Sequence, residues 1–193
     1  VANAILETSR SNIRENGAAG LNLNEVARQL GMKTPSLYEY FPNKMAIYEA
    51  LFRLGIGKFR QRMEQNPGES VTIWQRMRFT LDAYYTFAHE DPELYQIVFE
   101  RPLPGFVPSE EGMRECFAAF GYLSDGLAQA IAAGEIETDL SPEQAYYLVS
   151  SLIHGLTALH VANEPQLPVG EGRFGSLIPA AVALFKAAWE SQR

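Results

Sequence analysis

Of 193 residues one is cysteine, Cys116, and three are histidine. A lone cysteine excludes an internal disulfide, which suits a reducing compartment, and leaves any redox switch to a partner chain. His154 and His160 stand six apart, on different faces of a helix. Neither is expected to have a carboxylate or cysteine at metal-ligand spacing, so no metal and no other cofactor are expected. A Gly-rich phosphate loop, a nucleophile elbow and an HExxH pattern are all missing, which disfavours an enzyme. No apolar run nears the ~18 residues of a membrane span, and the N-terminus lacks the charged-then-apolar pattern of a secretory signal. The expectation is a soluble, cytoplasmic protein with no membrane partner. Strand-like alternation is absent as well, so the fold class is all-α.

What is present is apolar content and divided charge. Hydrophobic residues make up 47% of the chain, enough at this length for a real core in one domain or two small ones. The net charge of −7 is unevenly spread: residues 1–66 carry nine Lys/Arg against six Asp/Glu, and residues 67–193 carry seven against seventeen. A basic first part and an acidic remainder suit a molecule that meets a polyanion with one end and keeps the other off it. The chain starts at Val1, which leaves room for a short basic arm before it.

The run from Leu23 to Lys44 reads as two short helices and a tight turn. Val26, Ala27 and Leu30 give the first helix one apolar face, and Gly31 supplies the φ > 0 conformation that ends it. Thr34-Pro35 then reads as an N-cap followed by proline at the first helical position, and Pro42 stops the second helix. Leu37 and Phe41 face inward, which leaves Pro35, Ser36 and Glu39 outward with Tyr38 and Tyr40 at the edges. Such a helix fits a major groove, with its N-terminal end near base edges. A helical hairpin that merely packs has the same turn pattern.

Residues from about Ala4 to Phe52 resemble the DNA-binding domain of the TetR family of transcriptional regulators. The likeness lies in Ile5-Leu6, Glu15-Asn16-Gly17, Val26-Ala27-Arg28, Leu30-Gly31, Leu37-Tyr38, Tyr40-Phe41, Asn43-Lys44 and Ile47-Tyr48. The family often has a small residue and glycine where this chain has Thr34-Pro35-Ser36, so its base preference is expected to differ from that of better-known relatives. The resemblance implies that Tyr38 and Lys44 meet the phosphate backbone. With Asn24, Lys33, Thr34, Pro35, Ser36 and Tyr40 they form the expected DNA-binding set.

Helical spacing sets out the rest. A first helix is expected over Ala2 to Glu15, a linking helix over residues 43–65 capped by Asn43, a fifth over Val71 to Glu90, and a short sixth from Asp91-Pro92 to Glu100. Prolines and glycine make Arg101 to Ser109 a loop. A seventh helix is expected unbroken from Glu110 to Ala133, an eighth from the capping box Ser141-Pro-Glu-Gln144 to Asn163, and a ninth from Leu177 to Ser191. That makes about nine helices: a helix-turn-helix domain over residues 1–48 and a helical ligand-binding and dimerisation domain over residues 49–193. Within the linking helix, Gly55 and Gly57 either permit close packing or mark a bend.

The last two helices carry more apolar surface than one short domain needs, which predicts a homodimer through a four-helix bundle. Leu148, Leu152, Gly155, Leu156, Leu159, Val182, Phe185 and Trp189 are its expected interface. The distal part is rich in aromatic residues. They read either as an aromatic core or, in part, as the lining of a cavity between the fifth, seventh and eighth helices, with tyrosine hydroxyls and His154 as polar handles. The candidate lining is Trp74, Tyr84, Tyr85, Phe99, Phe117, Phe120, Tyr147 and His154. TetR-like regulators hold an inducer there, and Ile153-His154-Gly155 resembles the Trp-His-Gly signature of one C-terminal domain type in the family. The expected partners are double-stranded operator DNA, a small apolar or aromatic effector and a second copy of the chain. The alternative is a DNA-binding dimer with no small-molecule inducer, and an enzyme comes a distant third.

Overall fold

The computed structural model describes residues 1–101 and 103–190, so Pro102 in the expected loop and Ser191 at the expected end of the last helix lie outside the described residues. Among the described residues every regular element is a helix, with one isolated antiparallel bridge between Ile136 and Glu190. The helices form two compact units. Residues 1–58 and 91–116 make the first, and residues 59–90 with those from Phe117 onward make the second.

In the first unit, α1 (Ala2–Asn16) is followed by a 3-10 turn (Ala18–Gly20), α2 (Leu23–Gln29), the four-residue α3 (Thr34–Leu37) and α4 (Lys44–Met63), whose last turns belong to the second unit. Ile5, Ile13, Val26, Ala27, Leu37, Ile47 and Leu51 are buried, the apolar stripes that the spacing predicts. Asn43 caps α4 by accepting from the Ala46 N–H at 2.9 Å. The short α6 (Pro92–Tyr95) runs into a π-helical turn (Gln96–Glu100), which ends at Arg101 in the left-handed region.

This stretch packs in the first unit because carboxylates meet cations there. Arg10 Nε donates to Glu93 Oε1 at 2.8 Å and Arg10 Nη2 to Asp91 Oδ1 at 2.6 Å. Arg14 Nε reaches Glu93 Oε2 at 2.7 Å, and Lys58 Nζ reaches Asp91 Oδ1 at 2.7 Å. Asp91, Glu93 and Arg10 are all buried, and buried charges persist only when paired in this way. Gly55 permits the close approach: a Cβ there would stand 2.8 Å from Val98 Cγ2 and 3.3 Å from Leu94 Cβ. Gly57 has open space beside it, and α4 runs through both glycines without a break.

In the second unit, α5 (Ile73–Glu90), α8 (Gly121–Ala132), α9 (Pro142–Asn163) and α11 (Ile178–Trp189) pack together, with the single turn α10 (Gly172–Gly175) against α9. The expected long seventh helix is two, because α7 (Glu110–Ala119) stops at Phe120. Phe120 has φ −95° and ψ −3°, its N–H turns back to Phe117 O, and α8 restarts with Phe120 as its N-cap. Gly121 follows, a residue that weakens a helix at that point. The capping box forms as predicted: Ser141 Oγ accepts from the Gln144 N–H, and Gln144 Oε1 accepts from the Ser141 N–H. Pro179 sits in the first turn of α11. By length and composition α9 would pass for a membrane span, which corrects the expectation that no segment comes near one. It is so apolar because it carries buried residues on one face and exposed leucines on the other.

Candidate nucleic-acid interface

The outward face of α3 is built by caps that differ from those expected. Asn22, not Asn24, caps α2, its Oδ1 accepting from the N–H groups of Asn24 and Glu25. Asn24 instead accepts from Thr34 Oγ1 at 2.9 Å, which ties the start of α2 to the start of α3. Lys33 therefore occupies the N-cap position of α3, and no side chain caps that helix. In that first turn Pro35 carries no N–H, and the Ser36 N–H turns back to Lys33 O at 2.9 Å. Gly31, at φ 65°, makes the turn between the two helices.

Lys33, Pro35, Glu39 and Asn24 are exposed, as are Tyr38 and Tyr40 at 45% each, while Thr34 and Ser36 are half-buried. After Leu37 the chain tightens into i→i+3 turns, Tyr38 N–H to Pro35 O and Tyr40 N–H to Leu37 O. Lys44 lies at the start of α4, where its Nζ donates to Ala19 O at 3.3 Å and stands 5.7 Å from the centre of the Tyr48 ring. Two buried side chains hold this surface from behind. Asn12 Oδ1 accepts from the Asn22 N–H at 2.9 Å, and Tyr48 donates to Ala18 O at 2.5 Å. Burial pushes the Tyr48 hydroxyl up to about 12, so it stays a donor. On α2 the Arg28 guanidinium, with Gln29, draws the Glu25 carboxyl down to about 2.

The distal candidates divide. Tyr84 and His154 come together, with the Tyr84 hydroxyl 2.8 Å from His154 Nδ1, and Phe59 brings Phe120 and Tyr84 around it with ring centres at 5.0 and 6.0 Å. Tyr85 is buried against His160, and Trp74 is half-buried. Phe117 is 68% exposed, three residues before the break at Phe120, and Tyr147 is 54% exposed with its hydroxyl on Glu143 Oε1. Phe99 belongs to the first unit, beside Tyr95. Among the expected interface residues, Leu148 and Leu159 are exposed; Leu152, Gly155, Leu156 and Val182 are half-buried, and a Cβ at Gly155 would meet no other atom. Phe185 and Trp189 are buried within the chain, ring against ring at 4.8 Å.

Residues 5–51 match the model of bacterial regulatory proteins of the tetR family, and residues 77–174 match that of the tetracyclin repressor-like C-terminal domain. The chain belongs to the TetR family. This regulator is 24% identical over 161 residues to the fatty acid metabolism regulator protein of Bacillus subtilis, covering 83% of each chain. It is also 24% identical over 144 residues to an HTH-type transcriptional regulator of Mycobacterium tuberculosis, covering 72% of this chain and 62% of the other. Its fold is that of a TetR family regulator from Chloroflexus aurantiacus, with a TM-score of 0.77 at 19% identity over 98% and 93% of the two chains. It is likewise that of FadR from Bacillus subtilis, solved in complex with stearoyl-CoA, with a TM-score of 0.72 at 21% identity over 94% and 96%.

As a TetR-family protein the chain is a DNA-binding transcriptional regulator with an N-terminal helix-turn-helix domain and a helical C-terminal domain. Sequence reasoning missed the residues that brace its interface, Asn12, Asn22 and Tyr48. An Asn one residue before a run starting at Leu23 was a usable capping signal. Asn12 and Tyr48 act across 10 and 30 residues, beyond any local spacing rule. It also missed Glu164. Four residues beyond His160, that carboxylate lies 3.8 Å from His160 Nδ1 and is held by Arg173 at 2.6 Å.

Proposed function

We propose that this regulator is a cytoplasmic homodimeric repressor that holds a palindromic operator and releases it when a small apolar ligand enters the second unit. The outward face of α3, with Lys33 and Pro35 exposed at its start and Tyr38 and Tyr40 exposed just after its end, carries the reading. Thr34, Pro35, Ser36 and Tyr40 choose bases, while Asn24, Lys33, Tyr38 and Lys44 meet phosphate. The outward leucines of α9, Leu148, Leu152, Leu156 and Leu159, with open space at Gly155 and with Val182 of α11, form the two-fold seam. Phe185 and Trp189 support it from the core, and Tyr147 stands on its exposed side. The Tyr84–His154 pair, Phe120 and Tyr85 surround the ligand. An acyl chain of the kind bound by the Bacillus subtilis regulator is the first compound to try.

The close ring packing of Phe59, Tyr84 and Phe120 favours a second reading, in which the dimer binds DNA and no small molecule controls it. Operator fragments selected from random sequence, titrated with and without long-chain acyl-CoA, separate the two. Ligand-dependent release supports the first. Unchanged binding across acyl chain lengths supports the second, and failure to select any palindrome overturns both. Gly155→Leu should loosen the dimer and weaken operator binding together; a tight Gly155→Leu dimer on its palindrome would remove the proposed seam.

A further inference from the structure

Buried polar side-chain atoms without a hydrogen-bond partner gather in one place in the second unit. Apart from Ser9 Oγ in the first unit, those among the described residues are Tyr85 Oη, Thr157 Oγ1 and both ring nitrogens of His160. The three residues are 0–1% exposed. The Tyr85 and His160 ring centres are 4.7 Å apart, Thr157 and His160, at i and i+3, share one face of α9, and Glu164 at the end of that helix lies 3.8 Å from His160 Nδ1. Folded proteins pair nearly all such groups, so four unpaired atoms in one cluster need an occupant of matching chemistry.

The surroundings define that chemistry. Leu81, Ala88 and Ile153 are buried on the same two helices, so the rest of an occupant is apolar. Two hydroxyls and an imidazole offer donors and acceptors but no fixed charge. The nearby Glu164 carboxylate is already balanced by Arg173, which binds it through both Nε and the backbone N–H. A second anion would lie beside the Glu164 carboxylate, and a cation would have to take Glu164 from Arg173. His89, the other titratable group against this cluster, stands 6.4 Å from His160 between ring centres. The single turn α10 closes the cluster: Gly175 lies so near Tyr85 that a Cβ there would collide with the hydroxyl, and the Glu164–Arg173 pair ties that turn down.

We infer that Tyr85, Thr157 and His160 form a recessed seat for the uncharged oxygen-bearing head, a carbonyl or hydroxyl, of an otherwise apolar ligand, with α10 as its cover. The inference rests on the ligand-released reading above and adds to it which end of the ligand is recognised, and by what. A ligand head fills the hydrogen bonds that the seat leaves open, and the apolar remainder runs along α5 and α9.

Tryptophan-fluorescence titrations of the full chain with methyl dodecanoate, 1-dodecanol, dodecanoate and dodecane test it. The ester and the alcohol should bind about tenfold more tightly than either the carboxylate or the hydrocarbon. Tyr85→Phe and Thr157→Val, each of which keeps the fold's volume, should lose that advantage while dodecane binding stays unchanged. Wild-type affinity for the ester and the alcohol in both variants would overturn the seat, as would tighter binding of dodecanoate than of the ester. Operator titrations separate this failure from that of the wider reading. Release of operator at wild-type ligand concentrations from both variants removes the seat and keeps ligand control. Neither binding nor release with any probe in the wild type removes both.

Discussion

Each unit holds one buried cluster of polar side chains, and the two clusters differ in how they are paired. In the first, Arg10, Asp91 and Glu93 are buried and joined by hydrogen bonds of 2.6–2.8 Å, with Arg14 and Lys58 adding further charge. In the second, Tyr85, Thr157 and His160 are buried as deeply and make none. A closed ion-pair network has one good geometry and penalises any other, whereas unpaired hydroxyls and an imidazole gain on meeting something new.

The most damaging way to break that contrast is to open the network. Glu93→Ala leaves Arg10 buried without its main anion and should cost ~3–5 kcal/mol, read as a fall in the denaturant midpoint; a loss under ~1 kcal/mol would mean that the network is slack. Next comes Gly55→Val, which drives a side chain into Val98 and Leu94 and should cost about 1–3 kcal/mol by overpacking, visible as a lowered melting temperature. In the second unit the sign should reverse. Without ligand, Thr157→Val or Tyr85→Phe removes an unpaired buried oxygen and should leave stability unchanged or raise it by ~1 kcal/mol. A clear destabilisation in the same denaturant series would show that the oxygen has a partner in solution.

The smallest effect belongs to Glu25. Its carboxyl is held at about 2 against 4.5, a depressed value. Whatever the Arg28 pair contributes is therefore complete above pH 4.5 and lost as pH falls through about 2. A carboxyl NMR titration should place the midpoint near 2 and find it raised toward 4.5 in Arg28→Ala, where only Gln29 still lowers it.

Local chemistry was legible wherever a local rule governs it. The capping box at Ser141, the Asn43 cap, the proline in the first turn of α11 and the inward stripe of α1, α2 and α4 all follow from spacing. Spacing fails where a partner is distant. Residues 91–100 join the first unit because Arg10 meets Glu93 from 83 positions away, and nothing in either segment alone announces the other. The break at Phe120 was hidden because Gly121 is tolerated inside many helices. Thr34 misled because Thr before Pro is a good cap by rule, but here its hydroxyl has Asn24 to bond.

The brevity of α3 limits how much information one chain can extract from DNA. One turn of helix presents three or four side chains to base edges, which read roughly three or four base pairs. A word that short recurs by chance about every 60 to 260 base pairs, far too often against the ~10⁶–10⁹ competing sites of a genome. Two copies reading the same word in a set spacing multiply the rarity of one by that of the other. For a reading head this small, the address is written in the distance between two words as much as in their letters.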